Sequence, residues 1–233
     1  MIDAALGPSE IERLPERDLS QMTVVVFDVL RATSTMITAL AHGCPCVVPV
    51  ASTEEARVLK EQNPAWLLCG ERHGLPLEGF DHGNSPLEFV KSLSEPVILT
   101  TTNGTWALER CRHAGKLCVA ALLNLDATAA LVGSGSDLLL VAAGTFETPA
   151  LEDIYAAGRL ATILHGEKTD SVLAAEAVAK HWGSDPLGCL AAARNGKALL
   201  RRGWADQLAW CAQVSRFALA ASWEKGMVQA IGG

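Results

Sequence analysis

Four short polar segments of the sequence carry residue types that suit the binding of a small anion. The first is DVLRATST at 28–35, where Asp28 ends an apolar stretch and Arg31 follows three residues later. Three hydroxyl residues then open a helix-like pattern: Thr33, Ser34 and Thr35. Free backbone N–H groups and the dipole favour an anion at a helix N-terminus, and hydroxyls add donors. An N-cap beside a surface ion pair would use the same residues, and we favour the anion site.

The second segment is GERHGLPLEGFDHGNSP at 70–86, which has no hydrophobic periodicity. It predicts a loop of 17 residues, well above the usual length of about 4–6 for a compact domain, and such loops are commonly functional. Carboxylate and amide oxygens are ligands that magnesium prefers, and an arginine offers a planar fork for phosphate or carboxylate. The candidate residues are Glu71, Arg72, Asp81, His82, Asn84 and Ser85. Taken singly, each could also be a solvated loop residue.

The third segment is TTTNGT at 100–105, again between a strand pattern and a helix pattern. Gly104 permits a positive φ and Asn103 tolerates it, so successive backbone amides could form a concave anion site. Thr101, Thr102 and Thr105 would add hydroxyl donors. A tight turn capped by Thr102 or Thr105 is the alternative.

The fourth segment is GTFETPALED at 144–153, in which Thr148-Pro149 predicts a helix start. Glu152 and Asp153 then fall in the first helical turn, where acids complement the helix dipole. The same position would let one carboxylate, Asp153 in our assignment, reach a cation at the edge of a sheet. Both explanations are left open.

The segments lie within an alternation of strands and helices that predicts an α/β fold. Apolar strands are expected at 22–28, 46–51, 66–69, 96–101, 117–121 and 138–143, and helices at 33–42, 53–62, 105–113 and 125–132. Strands that are almost entirely apolar and separated by single helices are typical of a mostly parallel sheet covered on both faces. We therefore predict a three-layer α/β/α fold with a mostly parallel sheet. Ligands bind at the carboxyl edge of such a sheet, which is where the polar segments begin.

The last third of the chain predicts mainly helices, at 151–164, 171–182 and 204–220, followed by a possible strand at 227–231. No linker of low complexity separates it, so we predict one domain over 1–233, with a sheet core at 1–146 and a mainly helical part at 147–233. Trp204, Trp210 and Trp223 could bury their rings internally or against a second subunit, which leaves a homo-oligomer open.

Composition excludes several classes of protein. The chain has 233 residues, 49% hydrophobic and 19% charged, which excludes disorder. A net charge of −7 argues against nucleic acid or an anionic membrane as partner. No apolar run reaches the roughly 18 residues of a membrane span, and no signal peptide is evident, so we expect a cytoplasmic protein. The seven cysteines show no metal or disulfide spacing and are expected to be small hydrophobes.

Sequence motifs of other enzyme classes are missing. No strand is followed by G-x-G-x-x-G, and the chain lacks G-x-x-x-x-G-K-[ST], G-x-S-x-G and H-E-x-x-H. These absences argue against a dinucleotide oxidoreductase, a P-loop NTPase, a serine hydrolase and a zinc protease. The remaining inventory of acids, arginines and hydroxyl-rich helix starts suits a small polyanionic substrate, with Mg²⁺ as the expected cofactor.

These residues resemble the 2-phosphosulfolactate phosphatase family. The matching stretches follow the expected order within about 130 residues: DVLRATST at 28–35, GER at 70–72, GFDHGNSP at 79–86, TTTNGT at 100–105, and LED at 151–153 with its trailing Ala157-Gly158. After about residue 165 only Asn195-Gly196-Lys197 and 203–206 match. The resemblance implies a magnesium-dependent phosphatase that converts (2R)-phospho-3-sulfolactate to 3-sulfolactate and phosphate, a step of coenzyme M biosynthesis in methanogens.

Under this reading we expect some of four acids to bind magnesium: Asp28, Glu71, Asp81 and Asp153. Arg31 and Arg72 would stabilise the transferring phosphoryl group. The phosphate would be bound by Thr33, Ser34, Thr35, Asn84, Ser85, Thr101, Thr102, Asn103, Gly104 and Thr105. Either water attacks directly or Asp28 is a nucleophile. Because Leu30 stands where aspartyl-phosphate enzymes carry a second acid, we favour Asp28 as ligand or base.

Alternatives from other classes stay open. His73 and His82 could protonate the leaving group, although each could equally be a solvated loop histidine. A non-catalytic small-anion binding or regulatory protein could keep the same pocket, and so could a transferase or isomerase on the same sheet. Only a phosphatase would release free phosphate from a panel of phosphorylated hydroxy acids.

Overall fold

The computed structural model describes residues 1–133 and 137–231. Its strands form one sheet in the order β1-β8-β2-β7-β9-β10-β3-β6-β4-β5. Their bounds are β1 (Ile2–Ala5), β2 (Thr23–Phe27), β3 (Val47–Val50), β4 (Leu67–Arg72), β5 (Leu75–Pro76), β6 (Val97–Thr100), β7 (Lys116–Ala120), β8 (Leu138–Ala142), β9 (Ala220–Glu224) and β10 (Met227–Ile231).

The sheet consists of two parallel groups joined by an antiparallel hairpin. Strands β1, β8, β2 and β7 pair in parallel, as do β3, β6 and β4. The hairpin β9–β10 lies between them and pairs antiparallel with β7 on one side and β3 on the other. The two groups therefore run in opposite directions across the hairpin. Residues at the carboxyl ends of β2, β4 and β6 nevertheless lie close together.

Helices cover both faces of this sheet. Their bounds are α1 (Pro8–Ile11), α2 (Ala32–Ala41), α3 (Thr53–Gln62), α4 (Gly104–Arg110), α5 (Leu125–Val132), α6 (Leu151–Ile163), α7 (Asp170–Trp182), α8 (Pro186–Ala192), α9 (Arg194–Arg201) and α10 (Ala205–Cys211). Short 3₁₀ turns lie at Leu14–Glu16, Pro86–Phe89 and Leu122–Asn124. None of the described helices is both long and apolar enough to cross a bilayer.

The alternation of side chains along the strands divides the core into layers. In β2, Val24 and Val26 face the core that contains α2 and α4, whereas Val25 and Phe27 face the core that contains α5, α6 and α7. On the second parallel group, Ile98 packs against α3. Each fully buried side chain of this size stabilises the fold by roughly 1.5–3 kcal/mol. The arrangement confirms the expected three-layer α/β/α fold.

The helix expected at 204–220 is wrong beyond Cys211. Residues Ala220–Glu224 instead form β9, which pairs with β10 through a two-residue turn at Lys225 and Gly226. Both turn residues have positive φ, 52° and 83°, as the common hairpin turns require. The composition of this segment is typical of a helix. Its last residues nevertheless form a strand, because β9 and β10 pair with β7 and β3 and so join the two parallel groups. The possible strand at 227–231 is confirmed as β10.

Two further expectations need correction. Strand β1 was not predicted, because Ile2–Ala5 is too short for a clear pattern and pairs with the distant β8. The loop expected at 70–86 begins as strand, because β4 continues to Arg72 and turns back through β5. All seven cysteines are buried and free of disulfides, as expected for small apolar side chains.

Candidate active site

A cavity of about 320 Å³ lies where the ends of β2, β4 and β6 face helix α9. Seven of the candidate residues named from the sequence line it, and they come from three of the four polar segments: Asp28, Arg31, Glu71, His73, Asn84, Thr102 and Asn103. These segments are distant in sequence, so the fold brings them together. The structure therefore places these residues around one cavity.

Asp28 is buried at the bottom of the cavity, where α2 and α4 both begin. Its carboxylate accepts a hydrogen bond from the Ala32 N–H at 3.2 Å and one from the Gly104 N–H. A side chain at Gly104 would stand 2.6 Å from Asp28 Oδ2, so only glycine permits this approach. Loss of hydration, opposed by the two amides and reinforced by the charges of Glu71 and Glu152, raises the Asp28 pKa to about 7. The carboxyl can therefore gain or lose a proton near neutral pH.

Glu71 is fixed by three hydrogen bonds at the end of β4. Its Oε1 accepts from the N–H of Thr102 at 2.8 Å and from the Thr102 hydroxyl at 3.0 Å, and its Oε2 accepts from the Gly74 N–H at 2.5 Å. The carboxylate is only 6% exposed. It therefore ties the third polar segment to the second, beside Asp28.

The neighbours Glu152 and Asp153 have different surroundings. Asp153 accepts from the N–H of Val29 at 2.8 Å and of Gly144 at 3.0 Å, so both of its oxygens hold backbone in place. It does not line the cavity. Glu152 Oε1 accepts from Asn195 Nδ2 at 2.6 Å, whereas its Oε2 is buried and has no partner among the residues that the structure describes. Of the two acids in the first turn of α6, Glu152 is therefore the one with a carboxylate oxygen available to a ligand.

Burial also raises the pKa values of Glu152 and Asp153. Loss of hydration raises the pKa of Glu152, against the hydrogen bond from Asn195. The pKa of Asp153 is raised well above its usual value by burial and by the negative charges of Glu152 and Asp28. Three acids thus crowd one poorly hydrated region, which favours binding of a cation or a proton there.

Most of the predicted hydroxyls bind backbone rather than the cavity. Thr33 and Ser34 donate to the carbonyls of Asp28 and Val29, and Thr35 donates to the carbonyl of Asn84. Thr101 and Thr105 bond to each other's backbone. Because α2 and α4 begin inside the protein, these hydroxyls are needed to satisfy buried polar groups.

Three further candidates also lie off the cavity lining. Ser85 belongs to a capping box with Glu88. Arg72 donates to its neighbour's carbonyl and to the Thr100 hydroxyl at 2.9 Å. Asp81 forms an ion pair with Lys60 at 3.0 Å and accepts from the Leu68 N–H. The structure therefore does not bring Arg72 or Asp81 to the cavity.

The two candidate histidines are separated. His73 lines the cavity and stacks on Phe146, with ring centroids 6.1 Å apart. His82 lies instead near Glu88 and the ring of Phe89. Only His73 could reach a bound substrate.

Helix α9 supplies a set of cavity residues that the sequence did not reveal. Arg194, Asn195 and Arg201 lie on its inner face, and Arg202 follows directly. Four arginines in all line the cavity within the described residues, against the carboxylates of Asp28 and Glu71. The signal was present, because positions i, i+1, i+7 and i+8 share a helix face, but no helix was predicted there.

The carboxylate and amide oxygens of the site are of the chemical type that binds a hard cation. Among the described residues, no three His, Cys, Asp or Glu side chains are arranged as ready metal ligands. Four buried side-chain oxygens nevertheless lack a hydrogen-bond partner in the described part of the chain, and two of them are carboxylate or amide oxygens, Glu152 Oε2 and Asn84 Oδ1. Carboxylate and amide oxygens are the ligands that Mg²⁺ takes. Together with Glu71, they make residues of the right type available.

Comparison with known proteins decides the family. A family model described as 2-phosphosulpholactate phosphatase matches residues 9–226. The chain belongs to this family. A relative named "Probable 2-phosphosulfolactate phosphatase" from Pseudothermotoga lettingae is 37% identical over 207 residues, which cover 88% of this chain and 91% of the relative. One of the same name from Parasynechococcus marenigrum is 39% identical over 228 residues, covering 92% and 94%.

Membership of the 2-phosphosulfolactate phosphatase family confirms the resemblance seen in the motifs. It also confirms the enzyme class, a phosphoric monoester hydrolase. The match extends through α9 and β9, well past residue 165, after which the sequence showed only short matching stretches. The helix that carries the unpredicted arginines is therefore inside the family match.

Proposed function

We propose that the protein hydrolyses (2R)-phospho-3-sulfolactate to 3-sulfolactate and phosphate with the help of Mg²⁺. The observation that carries this proposal is one cavity with a buried carboxyl of pKa about 7 on one side and arginines on the other. The substrate carries phosphate, carboxylate and sulfonate on three carbons. Such a molecule requires several cationic groups close together, in a protein whose net charge is −7.

In the mechanism we propose, Asp28 is the general base. Its carboxylate takes a proton from a water molecule while the water oxygen attacks phosphorus, and the bond from phosphorus to the ester oxygen breaks. The released alkoxide takes a proton from solvent water and leaves as the hydroxyl of 3-sulfolactate, and Asp28 returns its proton to solvent. The backbone N–H groups of Ala32 and Gly104 hold the carboxylate in place.

Arg31 is the buried arginine of the cavity, and the charges of Glu71 and Asp28 act on it. Its guanidinium lies 5.2 Å above the Trp204 ring, and it donates to Gln207 Oε1 at 2.6 Å and to the Gly74 carbonyl at 3.0 Å. It is 6% exposed, so its charge is little screened. We propose that Arg31 stabilises the charge of the transferring phosphoryl group.

The residues that would hold magnesium are Glu71 and Asn84, which line the cavity, and Glu152, whose negative charge acts on Asp28 from outside the lining. When bound there, the ion would polarise the phosphoryl oxygens and neutralise part of their charge. This assignment keeps Glu71, makes Asp28 the base, and replaces Asp153 and Asp81 with Glu152 and Asn84, each of which has one buried oxygen without a partner among the described residues. The place of the reaction in coenzyme M biosynthesis and the cytoplasmic location stay predictions.

The test is release of free phosphate from purified protein supplied with (2R)-phospho-3-sulfolactate. We expect activity with Mg²⁺, loss after EDTA treatment and recovery when Mg²⁺ is restored. Activity that survives EDTA contradicts the metal. A protein that binds sulfolactate but releases no phosphate is instead a small-anion binding protein.

A further inference from the structure

Arg201 differs from the other cavity arginines, because nothing in the described part of the protein binds its guanidinium. The other three each donate to a protein oxygen: Arg31 to Gln207 at 2.6 Å, Arg202 to the His73 carbonyl at 2.9 Å, and Arg194 to the Thr148 hydroxyl at 3.2 Å. Those three therefore help to build the cavity. Arg201 instead brings all of its guanidinium N–H donors to the cavity, and none of them binds another group in the described part of the protein.

The backbone beneath Arg201 is firmly held. Within α9, a side chain at Gly196 would stand 1.7 Å from the carbonyl oxygen of Leu190, so this helix packs directly on α8. Leu199 is 4% exposed and packs in the core that contains α6 and α7. The backbone of Arg201 is thus held by the packing of α9, while its side chain is exposed and lines the cavity.

Arg201 lies at the opposite end of α9 from the acids. Asn195 contacts Glu152 at 2.6 Å, near the acids that surround Asp28. Arg201 follows six residues later, about 9 Å along the helix axis at 1.5 Å per residue. A phosphate that reacts beside Asp28 would leave the far end of the same small molecule toward Arg201.

We propose that Arg201 binds the acidic group on carbon 3 of the substrate and so gives the enzyme its preference for phosphate esters that carry such a group. A guanidinium presents parallel N–H donors that match a carboxylate or sulfonate. The inference rests on the proposed function, because it takes the reacting phosphate to lie beside Asp28. Arg201 determines which substrate is preferred, whereas Asp28 takes part in the reaction itself.

The test compares three substrates in wild type and in Arg201→Gln. 2-Phosphosulfolactate and 2-phosphomalate carry an acid on carbon 3, and 2-phospholactate has a methyl group there. We expect Arg201→Gln to lower kcat/KM about tenfold to a hundredfold for the first two, as for loss of one charge-assisted hydrogen bond, and less than about twofold for the third. The control is Lys197→Gln, which removes an exposed charge from the same helix away from the cavity.

Equal losses on all three substrates, or no loss, would overturn the proposal. Calorimetric binding of 3-sulfolactate separates this outcome from failure of the proposed function. If wild type releases no phosphate from any substrate, the phosphatase assignment fails. The role of Arg201 is then upheld if Arg201→Gln weakens sulfolactate binding about tenfold and Lys197→Gln does not, and it is refuted if both variants bind like wild type.

Discussion

The two sides of the cavity are built in opposite ways. On the acidic side, Asp28 and Glu71 are each 6% exposed and are held by backbone N–H groups where strands end and helices begin. On the basic side, Arg194, Arg201 and Arg202 are exposed side chains on and just after one helix. The acidic side is rigid and poorly hydrated, which suits proton transfer, and the basic side is open to solvent, which suits capture of a charged substrate.

The largest expected effect is on the acidic side. Replacing Asp28 by Asn removes the proposed base, so phosphate release should fall about 10²–10⁴-fold. Circular dichroism should still show a folded protein, although the new NH₂ group meets the Gly104 N–H and should lower the free energy of unfolding by about 1–3 kcal/mol. The matched control is Asp126→Asn in the exposed first turn of α5. Turnover near the wild-type rate in Asp28→Asn would remove Asp28 from the mechanism.

The pH dependence should report the same group. Because burial raises the Asp28 pKa to about 7, the base is protonated and inactive below that pH and free above it. We expect kcat/KM to rise about tenfold per pH unit up to about 7 and then to level off. The measurement is a pH series from 5 to 8.5 with a substrate whose phosphate is already fully ionised above pH 7. A flat profile would contradict the assignment.

Substitutions at the adjacent acids Glu152 and Asp153 should have different effects, one on activity and the other on stability. Glu152→Gln alters an oxygen without a partner, so we expect a loss of about tenfold or more in activity and a higher magnesium requirement with little change in Tm. Asp153→Asn places an NH₂ group against the N–H of Val29 or Gly144 and should lower the free energy of unfolding by about 1–3 kcal/mol. The reverse pattern would mean that Asp153, not Glu152, serves the site.

Salt should affect the basic side more than the acidic side. The Debye length falls from about 30 Å at 0.01 M to about 8 Å at 0.15 M, so exposed arginines attract a polyanion less strongly at the higher concentration. We expect KM to rise several-fold and kcat to change less than twofold. Sucrose at equal osmolality serves as the control. A salt effect confined to kcat would place the electrostatic contribution at the buried acids instead.

The smallest effect is expected at Asp81, whose carboxylate lies off the cavity in an exposed ion pair with Lys60. Asp81→Asn should leave phosphate release within about twofold of wild type. It should cost at most about 1 kcal/mol of stability, as is usual for exposed pairs. Activity titrated against Mg²⁺ checks this, and an altered magnesium requirement would return Asp81 to the list of metal ligands.

The sequence was most informative where local pattern and structure agree. Strand β2 and helix α2 follow from an apolar run ended by Asp28 and a hydroxyl-rich helix start, and the resemblance of these motifs to the family was confirmed. Strand β9 was missed because its pairing partners, β7 and β10, decide its conformation. The hydroxyls of Thr33, Ser34 and Thr35 were misjudged because sequence does not show how deeply a helix start is buried.

By itself, then, the sequence determined the alternation of strands and helices, the family motifs and the acids at strand ends, all of which depend on neighbours along the chain. Only the tertiary structure decided which of those acids meet, since this depends on contacts between segments that are distant in sequence. It also decided that Arg201 faces Asp28 across one cavity, because long-range packing of α9 on α8 sets the direction in which that helix points.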